Sequence, residues 1–408
     1  MRAQRTMPPV WLVGFANITL GLTNGIVFFV MPQLLAAQHV SEATIASVTA
    51  AAMSANFWAV LFSPILDVRF SRRWYATATA ALAALFVVIA FTNLQHIVLL
   101  SVALVLIVCA AGLSAAALGG WLSSVCPHSQ KNNLSAWLNV VLIGGTGLGA
   151  AAGAELVRHL GAGLAAALLG ACVVLPTVLF LFIPAPGPDR RLAGESFAQF
   201  NREILAMLRR RNILIVLLLF LSPCSTFALT SLLGAFGADF HASAGAVSMA
   251  GGAGAVISGI IGSLLFPVIA RRAPLRFLYL GNGILGAVFT LLLIAIPRAP
   301  WAFTLALLGL YLFQALAFSI QLGIVFEAIG PDNPLASTTF AFLTAATNVP
   351  VTYMMVIDGR GYTLAGITGS FATDAFISIA TCLLLGLLFV RLGASAFAPA
   401  TPAIETAD

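Results

Sequence analysis

Long apolar runs alternate with short polar breaks along the whole chain. The runs fall at about 10–36, 43–66, 74–93, 97–125, 133–155 and 160–184, and, after a polar stretch, at about 212–238, 244–270, 275–297, 300–327, 335–357 and 369–391. A helix crossing a bilayer needs roughly 20 apolar residues, so each run predicts one spanning helix. Twelve spans, an even number, put both chain ends on one side. The breaks test this count, because a wrong one would scatter basic residues over both sides. Sixteen Lys and Arg fall on the side of the termini, among them Arg2, Arg5, Arg69, Arg72, Arg73, Lys131, Arg190, Arg191, Arg271, Arg272 and Arg276; only Arg158, Arg298 and Arg360 fall opposite. That asymmetry predicts cytoplasmic termini.

Composition agrees: 61% of residues are hydrophobic, 8% are charged and the mean hydropathy is +1.04, against about a quarter charged in a soluble domain. This points to the plasma membrane, the inner membrane if the source is bacterial. The net charge of +6 is accounted for by the basic side, which leaves no case for nucleic acid as a partner; membrane lipids and a small-molecule solute are the expected ones, around a monomer. Arg2 and Arg5 precede an apolar run that is too long for a signal peptide and has no convincing cleavage site, so it reads as a retained first helix. Cys109, Cys126, Cys172, Cys224 and Cys382 show no paired spacing, so neither a disulfide framework nor a metal site is suggested, and no cofactor.

The two sets of six runs have the look of a repeat. A shift of 203 lays Pro64 on Pro267, Arg69 on Arg272 and Arg73 on Arg276, but Asp67 on Ala270; a shift of 202 lays Ser41 on Ser243 and Ser135 on Ser337. The expected organisation is a six-helix bundle over 1–184, a cytoplasmic linker over 185–211, a second bundle over 212–392 and a disordered tail over 393–408. In the linker, close prolines in PAPGPDRR forbid a helix, whereas Phe197, Phe200, Ile204 and Leu208 follow at helical spacing, which predicts a helix lying on the anionic leaflet.

The stretch Ser63–Arg73, SPILDVRFSRR, packs an acid and three arginines into the turn between the second and third spans. It resembles the signature loop G-x-x-x-D-R-x-G-R-R of the major facilitator superfamily, with Asp67 in the acidic place and Arg72 and Arg73 as the closing basic pair. Ser63 and Ser71 replace the glycines, and Val68 is one residue extra. The preceding wording also looks like the L-W-S-P-x-x-D of the muropeptide permease and acetyl-CoA transporter branch, with Phe62 for the tryptophan. The resemblance implies an all-α membrane fold of twelve helices in two bundles, with the first, fourth, seventh and tenth lining a central cavity. It also implies that Asp67 takes part in a charge-relay contact with the other bundle, so Asp67, Arg69, Arg72 and Arg73 are the candidate gate. The branch implies a bulky conjugate as substrate.

Polar residues inside spans cost energy unless they find partners, so they mark the candidate pathway. Asn17, Gly21, Asn24 and Phe28 share one face of the first helix; Tyr311, Gln314, Phe318 and Gln321 share one face of the tenth. Asn56, Ser114, Trp121, Ser222, Ser225, Thr226 and Asn348 add to these. The candidate substrate-binding set is Asn24, Asn56, Trp121, Gln314, Gln321 and Asn348, suited to a polar, uncharged or mixed organic solute; the alternative use of such amides is to bond helix to helix. Gly145, Gly149 and Gly153 recur every four residues and predict a close helix contact. No nucleophile and base pairing, H-E-x-x-H or phosphate loop occurs, so the chain reads as no enzyme. Glu155, Asp358 and Asp374 are expected near the outer ends of their spans, Asp67 and Glu327 near the inner ends, with no carboxylate near a span centre. The expected function is secondary transport by alternating access, with a lipid-flipping or non-transporting sensor protein as the alternative.

Overall fold

A computed structural model describes residues 7–185, 197–330 and 333–392. Among the described residues nine helices are long and apolar enough to cross a membrane. Two of them, His128–Leu181 and Ala336–Leu392, are hairpins of two spans each, and the shorter Arg211–Leu221 opens the remaining span. The twelve are α1 (10–37), α2 (Glu42–Asp67), α3 (Arg72–Thr92), α4 (Ile97–Val125), α5 (131–160), α6 (162–181), α7 (211–240), α8 (Ala244–Ile269), α9 (Leu275–Ala295), α10 (Pro300–Ile329), α11 (336–364) and α12 (367–392). The proline-rich opening of the linker and the tail from residue 393 lie outside the described residues; Phe197–Leu208 is a helix, and its Met207 is buried and accepts a hydrogen bond from Thr339 Oγ1.

The predicted breaks at 156–159 and 358–368 do not exist as loops. Helix runs through 156–159, and within 358–368 only Ala365 and Gly366 leave helical geometry; each hairpin turns at a glycine with positive φ, Gly161 at 74° and Gly366 at 60°. Only glycine takes such backbone without strain. The polar residues that suggested a loop, Glu155, Arg158 and His159, sit on the exposed helix end and pair there at 2.6 and 3.1 Å. The repeat shows in local chemistry too: Ser41 accepts the amide of Thr44 at the start of α2, and Ser243 that of Ala246 at the start of α8, a standard N-cap use of serine.

The span expected at 212–238 is interrupted. After Leu221 the backbone leaves the helix, with Ser225 and Phe227 in the left-handed region at φ 53° and 49°. Exposed backbone groups are not tolerated at this depth unless protein satisfies them. Here side chains of three neighbours do so: Tyr353 Oη donates to Leu221 O, Ser378 Oγ to Pro223 O and Gln314 Nε2 to Phe227 O, while the break's own Ser225 Oγ donates outward to Tyr279 O at 2.7 Å.

In the first half α1 packs on α5, α2 and α3 on α4, and α3 on α6; in the second, α8 and α9 pack on α10, and α9 on α12. The glycine face of α5 makes the expected close contact: Gly145 lies against Gly21, Gly149 against Leu22 and Gly153 against Val30. Between the halves, α5 meets α8 and α10, and α2 and α4 meet the Ala336–Ala346 segment of α11.

Candidate functional site: a central cavity above a sealed basic end

A cavity of about 290 Å³ lies between the two halves. Its walls come from α1, α2, α4, α5, α10 and α11, and its polar lining consists of the amides Asn17, Asn24, Asn56, Asn139, Gln321 and Asn348 with Thr344 and Thr347; Phe318 and Phe340 supply aromatic faces. No lining residue carries a charge. Gln321 Nε2 is held by Tyr279 Oη at 2.8 Å, which leaves its carbonyl oxygen as an acceptor. Asn56 and Asn348 are exposed to the cavity space, with Nδ2 bonded to carbonyls of their own helices, Met53 at 3.2 Å and Thr344 at 3.5 Å.

Four of the six residues predicted for the solute, Asn24, Asn56, Gln321 and Asn348, meet at this cavity; Trp121 and Gln314 do not. Trp121 is fully buried, its indole N–H donates to Pro184 O at 2.9 Å, and its ring sits edge-on to Phe180. Gln314 donates to Thr230 Oγ1 at 2.9 Å and to Phe227 O, so it serves the break in α7. In the α1 stripe, Gly21 faces α5, and the π-helical turn Ile26–Val30 shifts the register before Phe28. The carboxylates also differ from expectation: Asp358 and Asp374 each lie eight residues from Gly366, about 12 Å along the helix, and are 0% and 4% exposed.

Thr344, Thr347 and Phe340 were missed in the sequence, and so was the cavity amide Asn139. Its Nδ2 donates to Ser263 Oγ and Ala315 O, both at 2.9 Å, bridging α5 to α8 and α10. An amide at the seventh residue of the apolar run 133–155 is the signal that could have found it.

Below the cavity, the arginine-rich end is sealed by Asp67, which is 0% exposed. Its Oδ1 accepts Arg72 Nε at 2.8 Å and the amide of Ser337 at 3.2 Å; its Oδ2 accepts the amide and the hydroxyl of Thr338, both at 2.8 Å. The first turn of α11 has no capping side chain of its own at Leu335. A carboxylate from the other half therefore caps it, where free amides and the helix dipole favour negative charge. Arg72 completes the bridge by donating to Asn333 O and Pro334 O at 3.1 and 2.8 Å. Gly120 allows α4 to touch Ser337, and Lys131 Nζ donates across to Phe326 O. Arg69 and Arg73 stand outside the contact. Arg69 is exposed with φ 71°, the left-handed backbone that absorbs the extra residue Val68, and Arg73 lies half-buried beside Trp74.

The same architecture occurs in solved transporters. The human organic anion transporter MFSD10 (TETRAN) superposes with a TM-score of 0.69 at 20% identity, covering 93% of this chain and all of that one. FucP, a Major Facilitator Superfamily transporter, in its outward conformation gives 0.72 at 17% identity, with 93% and 98% covered. A bacterial homologue of the iron transporter ferroportin, in an outward-facing state with soaked iron, gives 0.64 at 16%, with 94% and 99% covered. No curated protein sequence matches the chain. The sequence model of the Major Facilitator Superfamily matches residues 13–334, most of the chain, and with the twelve-helix fold around a central cavity this makes the protein a member of the Major Facilitator Superfamily of membrane transporters.

Proposed function

We propose that this transporter carries a small, uncharged, hydrogen-bonding organic solute, and that the structure is its outward-facing state. The single observation that carries the reading is the cavity itself: six amides and no charge, positioned between the two halves, with the Asp67 contacts to Thr338 joining the halves on its basic side. Amides both donate and accept, so they recognise hydroxyl- and amide-rich molecules without neutralising charge. About 290 Å³ is at the lower end of ordinary ligand pockets. That favours a small solute over the bulky conjugates implied by the muropeptide and acetyl-CoA branch, and the neutral lining disfavours an organic anion of the kind named for MFSD10. Walls drawn from both halves favour passage through the centre over lipid flipping along an outer groove. Asn24, Asn56, Gln321 and Asn348 bind the solute, joined by Asn17 and Asn139; Trp121 and Gln314 position helices.

In this reading the arginine-rich end is cytoplasmic, both termini are cytoplasmic, the protein acts as a monomer in the plasma membrane, and the bundles of 1–184 and 212–392 rock about the cavity. Asp67 and Arg72 form the inner gate, while Arg69 and Arg73 hold the topology. The test is a thermal-shift screen of the purified protein against neutral polyols, amides and nucleosides, with organic anions as the contrast. A ligand of the first group should raise the melting temperature through mass action, and Asn24→Ala should reduce the rise. Stabilisation by anions alone would overturn the assignment of solute class.

A further inference from the structure

Asp358 on α11 and Asp374 on α12 are the unexplained groups of the fold. Both oxygens of Asp358 and Oδ1 of Asp374 are buried without a hydrogen-bond partner, and so is the hydroxyl of Ser370, one turn from Asp374 on the same helix. The helices cross tightly just beyond them: a Cβ on Gly361 would meet Gly369 O at 2.8 Å and Thr373 Oγ1 at 2.6 Å. The pair thus sits one to two turns inside a rigid glycine crossing, held together by the hairpin at Gly366.

Among the described residues no salt bridge reaches either carboxylate. The charge acting on Asp358 is that of Asp374. From α9, Arg276 bonds Asn212, and Tyr279 holds Gln321. From α7, Cys224 faces Cys382 and Asp239 accepts from Tyr362 Oη at 2.9 Å. At the α9–α10 turn Arg298 donates to Thr368 Oγ1 and lies over the rings of Phe240 and Phe371. On the hairpin itself Tyr353 bonds Leu221 O, while Arg360 and Arg391 are exposed. Two ionised carboxylates in such a site would face both desolvation and mutual repulsion, so the oxygens call for a cation.

We propose that Asp358, Asp374 and Ser370 form a proton-binding site inside the second bundle, and that its loading and unloading drive the transport cycle. The link runs along one helix. The first segment of α11 carries the Ser337 and Thr338 contacts to Asp67, Phe340 to Asn348 line the cavity, and Asp358 follows at the far part of the same span. Taking up the proton removes the repulsion between α11 and α12, and losing it restores that repulsion, so the packing of α11 reports the proton at both the cavity and the gate. This rests on the transport reading for its role in the cycle; proton binding itself does not.

The experiment uses the full-length protein in lipid nanodiscs, with protons and Na⁺ as the only probes. Infrared difference spectra over pH 5 to 10 should show a buried carboxylic C=O band that disappears in a single step and is absent in Asp374→Asn. Ser370→Ala, which keeps both acids, should shift the midpoint of that step. Spin labels at the exposed positions Ser129 and Arg271 should change their ratio of closed to open distances at least tenfold across the same step, and not in Asp358→Asn or Asp374→Asn. A band insensitive to pH would overturn the site. Loss of the band on adding Na⁺ at fixed pH would make it a sodium site and end the proton proposal. A titrating band with unchanged distances would refute coupling. Failure of all cavity ligands to bind, with titration intact, would instead count against the proposed transport function and leave the site standing.

Discussion

Replacing Asp67 by Asn keeps one acceptor oxygen and turns the other into an N–H₂ donor. The parent carboxylate takes four bonds, two on each oxygen, and the Thr338 amide and hydroxyl share Oδ2. With Oδ1 kept toward Arg72 and Ser337, the new amide nitrogen confronts the Thr338 amide, donor against donor. Hydrogen bonds to charged groups contribute about 1.5–3 kcal/mol each, and breaking a buried ion pair by removing one partner costs about 3–5 kcal/mol. Arg72 retains Asn333 O and Pro334 O, so the lower part of that range, about 3 kcal/mol, is the reasonable loss. The Asp67–Arg72 pair lies within the first half and can persist in either state. The Ser337 and Thr338 bonds cross between the halves and exist only while the basic end is shut; losing the two Thr338 bonds alone accounts for about 3 kcal/mol on the closed state. A difference of that size changes a two-state ratio by about a hundred-fold, enough to move a protein closed 99:1 to near parity. Distance measurements between spin labels at Ser129, in the α4–α5 turn, and Arg271, in the α8–α9 turn, read this directly. A second, longer distance population should appear in Asp67→Asn with insertion unchanged. An unchanged distribution, together with a parental transport rate, would mean that Asp67 serves topology alone.

Three further outcomes are expected. Reporter fusions after Arg73, Arg191 and Arg276 should report the cytoplasm, and fusions near Arg158 and Arg360 the opposite side; contrary results at two of these sites would end the proposed orientation. Asn24→Ala and Gln321→Ala should weaken solute binding by about 1–3 kcal/mol, whereas Gln314→Ala should lower the melting temperature and leave affinity unchanged, and an equal affinity loss at Gln314 would return it to the site. Gly120→Ala places a Cβ 2.5 Å from the Ser337 nitrogen and 2.6 Å from its Cα, which should force α4 off α11. Cys126, buried in the α4–α5 turn with its thiol pushed up to about 11 by desolvation, should then relax toward ordinary thiol acidity, form more thiolate at neutral pH and react with maleimide at least tenfold faster. Parental labelling kinetics would show that the seal tolerates the methyl group.

The spans were legible because a bilayer imposes one length and one composition on every helix. The acid and arginine turn was legible because charge in the middle of such a chain has few places to go. Which face a polar residue presents was less so. Asn24 and Gln321 reach the cavity, yet Gln314, on the same predicted stripe as Gln321, is taken up by the Phe227 carbonyl and the Thr230 hydroxyl at the break in α7. Pro223 lies in that break, but the left-handed Ser225 and Phe227 depend on partners from α9, α10, α11 and α12 that lie 54 to 155 residues away. Asp358 and Asp374 were misplaced for a related reason. Distance from the end of an apolar run gives depth only when the run ends where the helix does, and here the helices continue to Gly366.

The connections opposite the basic end have a mechanical consequence. They comprise residues 38–41, 93–96, Gly161, 241–243, 296–299 and 365–366, none longer than four residues. In the proposed outward-facing state, no loop there is long enough to fold over the mouth of the cavity as a lid. Occluding a bound solute therefore requires whole spans to tilt or bend, with α7 already divided at 222–228. Such rigid-body motion belongs to the microsecond-to-millisecond range of collective domain movements. The turnover rate is then set by the viscosity and thickness of the surrounding lipid as much as by the solute, and should fall in thicker, more ordered bilayers.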